Sequence, residues 1–179
     1  MDLRPYGPDD LDEVLALNER WVPHVGAVTR EALVSIVAEC SLALVARDDG
    51  GGLAGFVLVV PPGAAYGSPN YRFFEERARS GDTGPFRYVD RIAVAPAARG
   101  TGLGRSLYAA VAEHARAEGA AEVTCEVNLV PPNPDSQAFH ARLGFVEVGR
   151  RWNYGDTVQV QLLALPVVGD AEREPDRGA

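Results

Sequence analysis

The sequence predicts a single α/β domain in which strands and helices alternate along the chain. A length of 179 residues suits one domain and is enough for a sizeable core. Short apolar segments that are typical of strands alternate with segments that carry a helical stripe of apolar side chains. The hydrophobic content of 46% is near the globular average, and the charges are mixed through most of the chain. These observations favour a folded domain over a disordered chain.

The N-terminal half predicts a strand, two helices and a β-hairpin, in that order. A short strand begins at Leu3. Asp9 or Asp10 then caps a helix that ends near residue 18, and Thr29 caps a second helix that ends near residue 39. The apolar segments SLALVAR and LAGFVLVV flank DDGGG, so we expect these two strands to form a hairpin.

Residues 61–86 are rich in proline, glycine and aromatic side chains, and YRFFEERARS within them predicts a short helix. A connection of this length is either a lid-like insertion or a loop on the substrate side of a site. Its aromatic side chains form either a wall of that site or a satellite core, and we expect core packing.

The C-terminal half predicts alternating strands and helices. The strand RYVDRIAV leads through a glycine-rich loop into the helix GLGRSLYAAVAEHARAEG. The strand EVTCEVNL, the helix NPDSQAFHARL and the strands FVEVGRR and TVQVQLLAL follow. We therefore expect the domain to span residues 1–165. Residues 166–179 are charged and lack aromatic side chains, which predicts a disordered tail.

Charge and composition argue against several classes of function. A net charge of −8 disfavours nucleic-acid binding, and no stretch has the roughly 20 apolar residues of a membrane span. The first residues do not resemble a signal peptide, so we expect a cytoplasmic protein. All basic residues are arginine, which excludes a lysine-dependent phosphate loop or Schiff base. Cys40 and Cys125 have no metal-site spacing, and we expect two buried thiols and no metal.

The segment RIAVAPAARGTGLGRSL contains the strongest signal for a binding site. A strand ends at Val94, and glycines at 100, 102 and 104 precede a helix. Unpaired amides at such a helix start form an anion site that suits a pyrophosphate. A Walker loop would need lysine, and a dinucleotide fingerprint would need glycine where Arg105 stands. The loop fits neither of these.

Arg99, Gly102 and Gly104 match the pattern R-x-x-G-x-G, and the sequence here resembles the acyl-CoA loop of the GNAT superfamily of N-acetyltransferases. Downstream, CEVN and N..S..FH..LGF resemble the last strand-helix-strand unit of that family. The resemblance covers roughly residues 87–151. It implies an α/β fold with a central, mostly antiparallel sheet that contains a splayed parallel strand pair and is flanked by helices.

The resemblance implies acetyl-CoA as a co-substrate and assigns it a set of residues. The exposed backbone of the splayed strand would bind the pantetheine arm, and the loop amides would bind the pyrophosphate. The start of the next helix would reach the cofactor arm, although plain helix capping is an alternative there. The implied residues are Ile92, Ala93 and Val94 on the strand; Arg99, Gly100, Thr101, Gly102, Leu103, Gly104, Arg105 and Ser106 in the loop and helix start; and Asn133, Ser136 and Phe139 on the next helix.

The implied reaction is direct transfer of the acetyl group from acetyl-CoA to an amine, which must lose a proton. Glu126 and Asp90 are the candidate bases, and either could instead be a structural partner for an arginine. Strand alternation puts Glu126 and Asn128 on one face, and puts Asp90 on the same face as Tyr88 and Ile92. The amide of Val94 is a candidate for stabilising the oxyanion.

His140 stands at the position where the family usually has a tyrosine that acts as the general acid. A neutral imidazole has one N–H to give, but it must face the departing sulfur. Either His140 is the general acid, or it only binds and the thiolate leaves without it. The predicted function is N-acetylation of a primary amine on a small molecule or a peptide N-terminus. The alternative is an inactive module that binds acyl-CoA, and a homodimer is left open.

Overall fold

The computed structural model describes residues 1–81, 83–153 and 155–167, and the strands within them form one sheet. The strands are β1 (Asp2–Pro5), β2 (Leu42–Arg47), β3 (Leu53–Val60), β4 (Phe86–Val94), β5 (Glu122–Val130), β6 (Val146–Asn153) and β7 (Val158–Pro166). The helices are α1 (Leu11–Arg20), α2 (Arg30–Glu39), α3 (Pro69–Arg79), α4 (Leu103–Ala117) and α5 (Pro134–Leu143). Short 3₁₀ turns precede α1 and the glycine-rich loop.

The seven strands have the order β1-β2-β3-β4-β5-β7-β6. All neighbouring pairs are antiparallel except β4 and β5, which are parallel. The predicted fold class, a mostly antiparallel sheet with one parallel pair and helices around it, is confirmed. The predicted hairpin is formed by β2 and β3.

The parallel pair is short, and its strands then separate. Phe86, Arg87 and Tyr88 of β4 pair with Glu122, Val123 and Thr124 of β5. Both strands continue for six more residues, to Val94 and Val130, with no further pairing between them in the described chain. The sheet therefore opens at this point, as the predicted splay requires.

A β-bulge in β4 changes which face its side chains occupy. Leu58 of β3 pairs with Arg91 and Val59 pairs with Val89, so Asp90 has no partner across β3. The prediction that Asp90 shares a face with both Tyr88 and Ile92 is wrong, because an extra residue in one strand interrupts the alternation. Tyr88 packs in the core beneath α3, whereas Ile92 packs against the core beneath α4.

The sheet has a hydrophobic core on each face. One face packs against α4, where Leu107 and Val111 belong to the same hydrophobic cluster as Val57 and Val123, and α5 adds to the same layer. The other face is covered by α1 and α2 near β3 and by α3 farther along. This second layer includes most of the aromatic side chains of the 61–86 segment, which confirms core packing for Tyr71, Phe74 and Phe86.

The helix ends mostly follow the predicted chemistry, with one exception. Thr29 caps α2 by accepting a hydrogen bond from the amide of Ala32 at 3.2 Å. Asp10 precedes α1, but its carboxylate does not cap that helix. It is buried, accepts two hydrogen bonds from Arg4 at 2.7 and 2.8 Å, and also binds Arg47. Asp10 therefore joins β1, β2 and the turn before α1.

The sheet holds the C-terminal end of the described chain. Strand β7 ends at Pro166, and Val167 is buried and donates its amide to the carbonyl of Ala121 at 2.8 Å. Residues 168–179, which form nearly all of the predicted disordered tail, lie outside the described residues. No helix in the described chain is long and apolar enough to cross a membrane.

Replacing Asp10 with Asn should lower the free energy of unfolding at pH 7 by roughly 2–3 kcal/mol, because a buried acceptor of charged hydrogen bonds loses its charge. Hydrogen bonds from Arg4 hold the pKa of Asp10 well below its usual range. A lowered pKa gives stability that is present above the unfolded pKa of about 4 and is lost as the pH falls below it. Urea denaturation at pH 7 and pH 3 measures both effects.

The matched control is Asp9→Asn, since Asp9 is exposed in the same turn. It should unfold like the wild type at both pH values. The Asp10→Asn variant should lose less stability than the wild type between pH 7 and pH 3. Equal losses in the two variants at pH 7 would contradict the role of Asp10 as a junction.

Candidate active site

A cavity of about 1060 Å³ opens where β4 and β5 separate. Its walls come from both strands, the glycine-rich loop, the start of α4, helix α5 and the segment 21–27 that follows α1. Glu126, Asp90 and His140 all line it. Of the residues implied for the cofactor, only Thr101 and Ser106 are not part of the wall in the described chain. The cavity therefore brings most of the predicted site residues together.

The glycine-rich loop presents backbone amides that have no protein partner. The amide of Arg99 donates to the carbonyl of Pro96 at 3.3 Å, and that of Ser106 donates to the carbonyl of Gly102 at 3.1 Å. Between these two, no amide has a backbone acceptor in the described chain. Gly100 and Gly102 have φ values of +78° and +89°, which non-glycine residues rarely adopt. The free amides at the start of α4 fit the pyrophosphate of acetyl-CoA.

The third glycine of the loop has a packing role. A Cβ atom on Gly104 would lie 3.1 Å from Cζ of Phe139, so the absence of a side chain lets α5 approach the first turn of α4. The hydroxyl of Thr101 donates to the carbonyl of Ala98 at 2.8 Å, and that of Ser106 donates to Gly102. These two side chains shape the loop from within, which explains why they do not line the cavity.

The open edge of β4 presents its backbone to the cavity at alternate residues. The amide of Ala95 bonds to Ala54 of β3 at 2.8 Å, so the next pair, Val94 with Gly55, is one that makes no hydrogen bonds across β3. By the same alternation, the backbone N–H and C=O of Ile92 point into the gap between β4 and β5, whereas those of Ala93 point towards β3. The expectation that Ala93 offers backbone hydrogen bonds to the cofactor is corrected accordingly.

Trp21 lies over this open edge, and no sequence motif pointed to it. Its indole N–H donates to the carbonyl of Val94 at 3.0 Å. The guanidinium of Arg99 lies over the Trp21 ring at 5.3 Å and contacts Asp135 at 3.2 Å. The segment after α1 is thereby held against both the splayed strand and the glycine-rich loop.

The start of α5 combines helix capping with a place in the cavity wall. Asn133 caps the helix by accepting a hydrogen bond from the amide of Ser136 at 3.3 Å. The hydroxyl of Ser136 lies 3.3 Å from Nδ1 of His140. Both residues also line the cavity. The capping interpretation of Asn133 is therefore correct, and it does not exclude contact with a ligand.

Glu126 lies on the second residue of β5 beyond the last pair with β4. Its carboxylate accepts a hydrogen bond from the hydroxyl of Tyr88 at 2.7 Å and another from the side chain of Asn70. Burial raises the pKa of Glu126 to about 7, and the charge of Asp90 adds to the rise, although the two hydrogen bonds oppose it. A carboxylate with this pKa can take and release a proton near neutral pH.

Asp90 is held by protein partners on both sides. Its carboxylate binds Nε of Arg91 at 2.7 Å and accepts a hydrogen bond from the hydroxyl of Tyr66. Arg91 in turn donates to Asn18 at 2.8 Å and to the carbonyl of Gly26 at 3.2 Å. These contacts tie the 21–27 segment to β4, and they match the arginine-partner interpretation of Asp90 rather than that of a free base.

His140 is buried, and both of its ring nitrogens have partners. Nδ1 lies 2.7 Å from the carbonyl of Ser136, and Nε2 lies 2.7 Å from the hydroxyl of Tyr108. A carbonyl only accepts, so Nδ1 carries the proton. Burial lowers the pKa of His140, so the ring is neutral and Nε2 accepts from Tyr108. In this arrangement His140 directs no N–H into the cavity.

Two further polar residues of the wall were not predicted from the sequence. The Asn153 side chain donates to Asn70 at 3.1 Å, and thereby supports the residue that binds Glu126. Nδ2 of Asn128 donates to the carbonyl of Pro23 at 3.1 Å and joins β5 to the 21–27 segment. No group of three potential metal ligands comes together in the described residues.

Comparison with solved structures finds the same fold in several acetyltransferases. The ribosomal-protein-S18-alanine N-acetyltransferase of Escherichia coli aligns with a TM-score of 0.70 and 20% identity over 97% of each chain. Ard1 of Thermoplasma volcanium gives 0.74 and 18%, over 94% of this chain and 98% of that one. Naa20 of Chaetomium thermophilum, in complex with a bisubstrate analogue, gives 0.74 and 22%, over 93% and 86%. At these identities the likeness concerns the fold.

Sequence comparison identifies the family. A search of curated protein sequences finds no significant match. The family model described as acetyltransferase (GNAT) family matches residues 10–145, which is well over half of the chain and includes the splayed strands and the glycine-rich loop. The chain belongs to the GNAT acetyltransferase family.

Proposed function

We propose that this protein transfers the acetyl group of acetyl-CoA directly to a primary amine of a small molecule or a peptide N-terminus. The observation that carries the proposal is the environment of Glu126, a carboxylate with a pKa of about 7 in a cavity that is lined elsewhere by a loop of unpaired amides. One wall suits the anionic part of acetyl-CoA, and the other provides a base. Membership of the GNAT family supports an acyl transfer reaction.

The residues divide the work between binding and proton transfer. Loop amides between Arg99 and Ser106 bind the pyrophosphate, and the backbone of Ile92 and Val94 binds the pantetheine arm. Glu126 takes a proton from the amine, directly or through water, and the neutral amine attacks the thioester carbon. The amide of Val94 stabilises the oxyanion. Asp90 acts through Arg91, by holding the segment that covers the acceptor side.

The acceptor is an amine that reaches the carboxylate end of the cavity. Asp90 and Glu126 lie there together. Arg91 balances the charge of Asp90, so ionised Glu126 is the carboxylate that favours a cationic molecule over an anionic one. Two solved structures with this fold are named as ribosomal-protein-alanine N-acetyltransferases, and one is named as a phosphinothricin N-acetyltransferase. These names support a peptide N-terminus and a small amine equally.

Replacing Glu126 with Gln should lower kcat/KM by about 100-fold or more, because a positioned base contributes this much. The pKa of Glu126 is raised to about 7, and the ionised form is the base. The wild-type rate should therefore rise as the pH increases from 6 to 8, and the Glu126→Gln variant should lose this rise. Initial rates of thiol release across that pH range measure it.

The matched variant for this test is Asp90→Asn, since Asp90 lies in the same cavity but is bound by Arg91. It should keep a rise of rate with pH, whatever its rate, but with the midpoint moved to lower pH, because the charge of Asp90 adds to the raised pKa of Glu126. A rise that persists in Glu126→Gln and disappears in Asp90→Asn would assign the base to Asp90 instead.

Replacing Gly102 with Val should weaken CoA binding by about tenfold or more, because a branched side chain at positive φ displaces the amides of the loop. Gly119 provides the control, since it has a φ of +67° at the other end of the same helix and lies outside the cavity wall. Gly119→Val should lose comparable thermal stability but keep its CoA affinity. Calorimetric titration with CoA compares the two, and equal affinities would contradict the loop assignment.

The competing function is acyl-CoA binding without transfer, which the absence of an inward N–H on His140 favours. Thiol release by the wild-type protein distinguishes the two functions. It is measured with acetyl-CoA and a panel of primary amines and peptides with free N-termini. We expect release above the rate of hydrolysis with at least one class of acceptor. CoA binding without release across the whole panel would instead favour the binding module.

A further inference from the structure

We propose that the hydroxyl of Tyr108 gives its proton to the departing CoA thiolate, and that His140 positions this hydroxyl. The inference rests on the proposed function. It gives the proton-donor role, which the sequence pattern suggested for a side chain on α5, to a side chain on α4 instead. Tyr108 is the catalytic residue in this proposal, and His140 is a positioning residue.

The first argument is the position of Tyr108. Its side chain is buried on the second turn of α4 and lines the cavity. Cys125 is the first residue of β5 beyond the last pair with β4, and Glu126 is the second. Tyr108, Cys125 and Glu126 line the same cavity. Burial raises the pKa of Tyr108, and its neighbours Cys125 and Glu126 add to the rise. The phenol therefore reaches the point where the two strands begin to separate.

The second argument is the state of the proton that each group carries. The single N–H of His140 is committed to the carbonyl of Ser136, so Nε2 has only a lone pair to offer. The proton that borders the cavity next to His140 is the hydroxyl proton of Tyr108. Burial raises the pKa of Tyr108 well above its usual value, so the hydroxyl keeps its proton over the whole working pH range. The hydroxyl is therefore protonated at the moment when the C–S bond breaks.

The third argument is the way the phenol is held. The Tyr108 ring contacts His140 edge to face, with centroids 5.2 Å apart, and contacts Phe145 at the same distance. Phe139 packs at 6.0 Å. The hydrogen bond of 2.7 Å to Nε2 of His140 fixes the oxygen. Rotation about the C–O bond is the motion that remains, and it moves the hydrogen from Nε2 towards a sulfur in the cavity.

The proposed step balances in atoms and charge. The tetrahedral intermediate breaks its C–S bond, and the electron pair of that bond goes to sulfur. The hydroxyl proton of Tyr108 moves to the same sulfur, which yields the free CoA thiol, the amide product and a phenolate. Glu126 holds the proton that came from the amine and releases it to solvent, and the phenolate regains a proton from water.

The test begins with Tyr108→Phe, which removes one oxygen from a buried ring. We expect kcat to fall by about 100-fold, with the KM of each substrate within about twofold of the wild type, because the proton is needed only as the thiolate leaves. CoA affinity, measured by calorimetry, should stay unchanged. The control is Tyr71→Phe, which removes a buried hydroxyl that donates to the carbonyl of Pro61 at 2.9 Å outside the cavity wall. It should keep the wild-type kcat.

The decisive variant moves the hydroxyl from α4 to α5. In the wild type, Nε2 of His140 lies 2.7 Å from the hydroxyl oxygen of Tyr108. In the double variant Tyr108→Phe/His140→Tyr, the new phenol oxygen therefore projects from α5 towards the space that the Tyr108 oxygen leaves. We expect it to recover at least about tenfold of the lost kcat. A merely structural role of Tyr108 would not be repaired in this way.

The outcomes separate the proposals. A Tyr108→Phe variant whose kcat stays within about twofold of the wild type would overturn this inference and leave the proposed function intact. A loss that the folded double variant does not reverse would also overturn it. If Tyr108→Phe does not fold, His140→Phe decides, since it keeps the hydroxyl but removes its partner; an unchanged kcat would then count against the proposal. A wild type that binds CoA and releases no thiol would overturn both proposals.

Discussion

The site depends on the hydrogen bonds that β4 and β5 do not make. Three residue pairs join the parallel strands, and each strand then continues for six residues without pairing with the other. Backbone groups at such an open edge need partners from elsewhere. The indole of Trp21 supplies one at Val94, and the remaining groups border a cavity of about 1060 Å³. A sheet that paired along its full length would have neither the edge nor the cavity.

The same separation creates different environments for two neighbouring carboxylates. The bulge removes Asp90 from the alternation of β4, and Arg91 and Tyr66 then bind it. Glu126 instead has two neutral partners, Tyr88 and Asn70, and no arginine of the described residues forms an ion pair with it. The ion pair with Arg91 keeps Asp90 in a structural role. Burial without a directly bound cation leaves Glu126 able to exchange a proton near pH 7. The two carboxyl groups therefore differ in environment, and only Glu126 has that of the proposed base.

The sequence predicted the parts of the site that local patterns encode. The glycine-rich loop, the strands beside it and the cap of α5 at Asn133 all depend on neighbours within a few residues, and they lie as expected. The bulge at Asp90 and the contacts of Trp21 and Tyr108 were not predicted. Trp21 lies 73 residues from the carbonyl that it binds, and Tyr108 lies 32 residues from His140. Such contacts follow from how helices pack over the sheet, which no local motif records.

Packing between α4 and α5 links the cofactor loop to the proposed proton donor. Gly104 lacks a side chain, so the ring of Phe139 can lie against the first turn of α4. The next residue of α5 is His140, and its partner Tyr108 lies one turn farther along α4. The loop that presents amides to the pyrophosphate and the hydroxyl that faces the splay are therefore fixed by the same helix contact. A change in the helix spacing would move the loop and the Tyr108 hydroxyl together, so the absence of a side chain at Gly104 bears on both the proposed CoA binding and the proposed proton transfer.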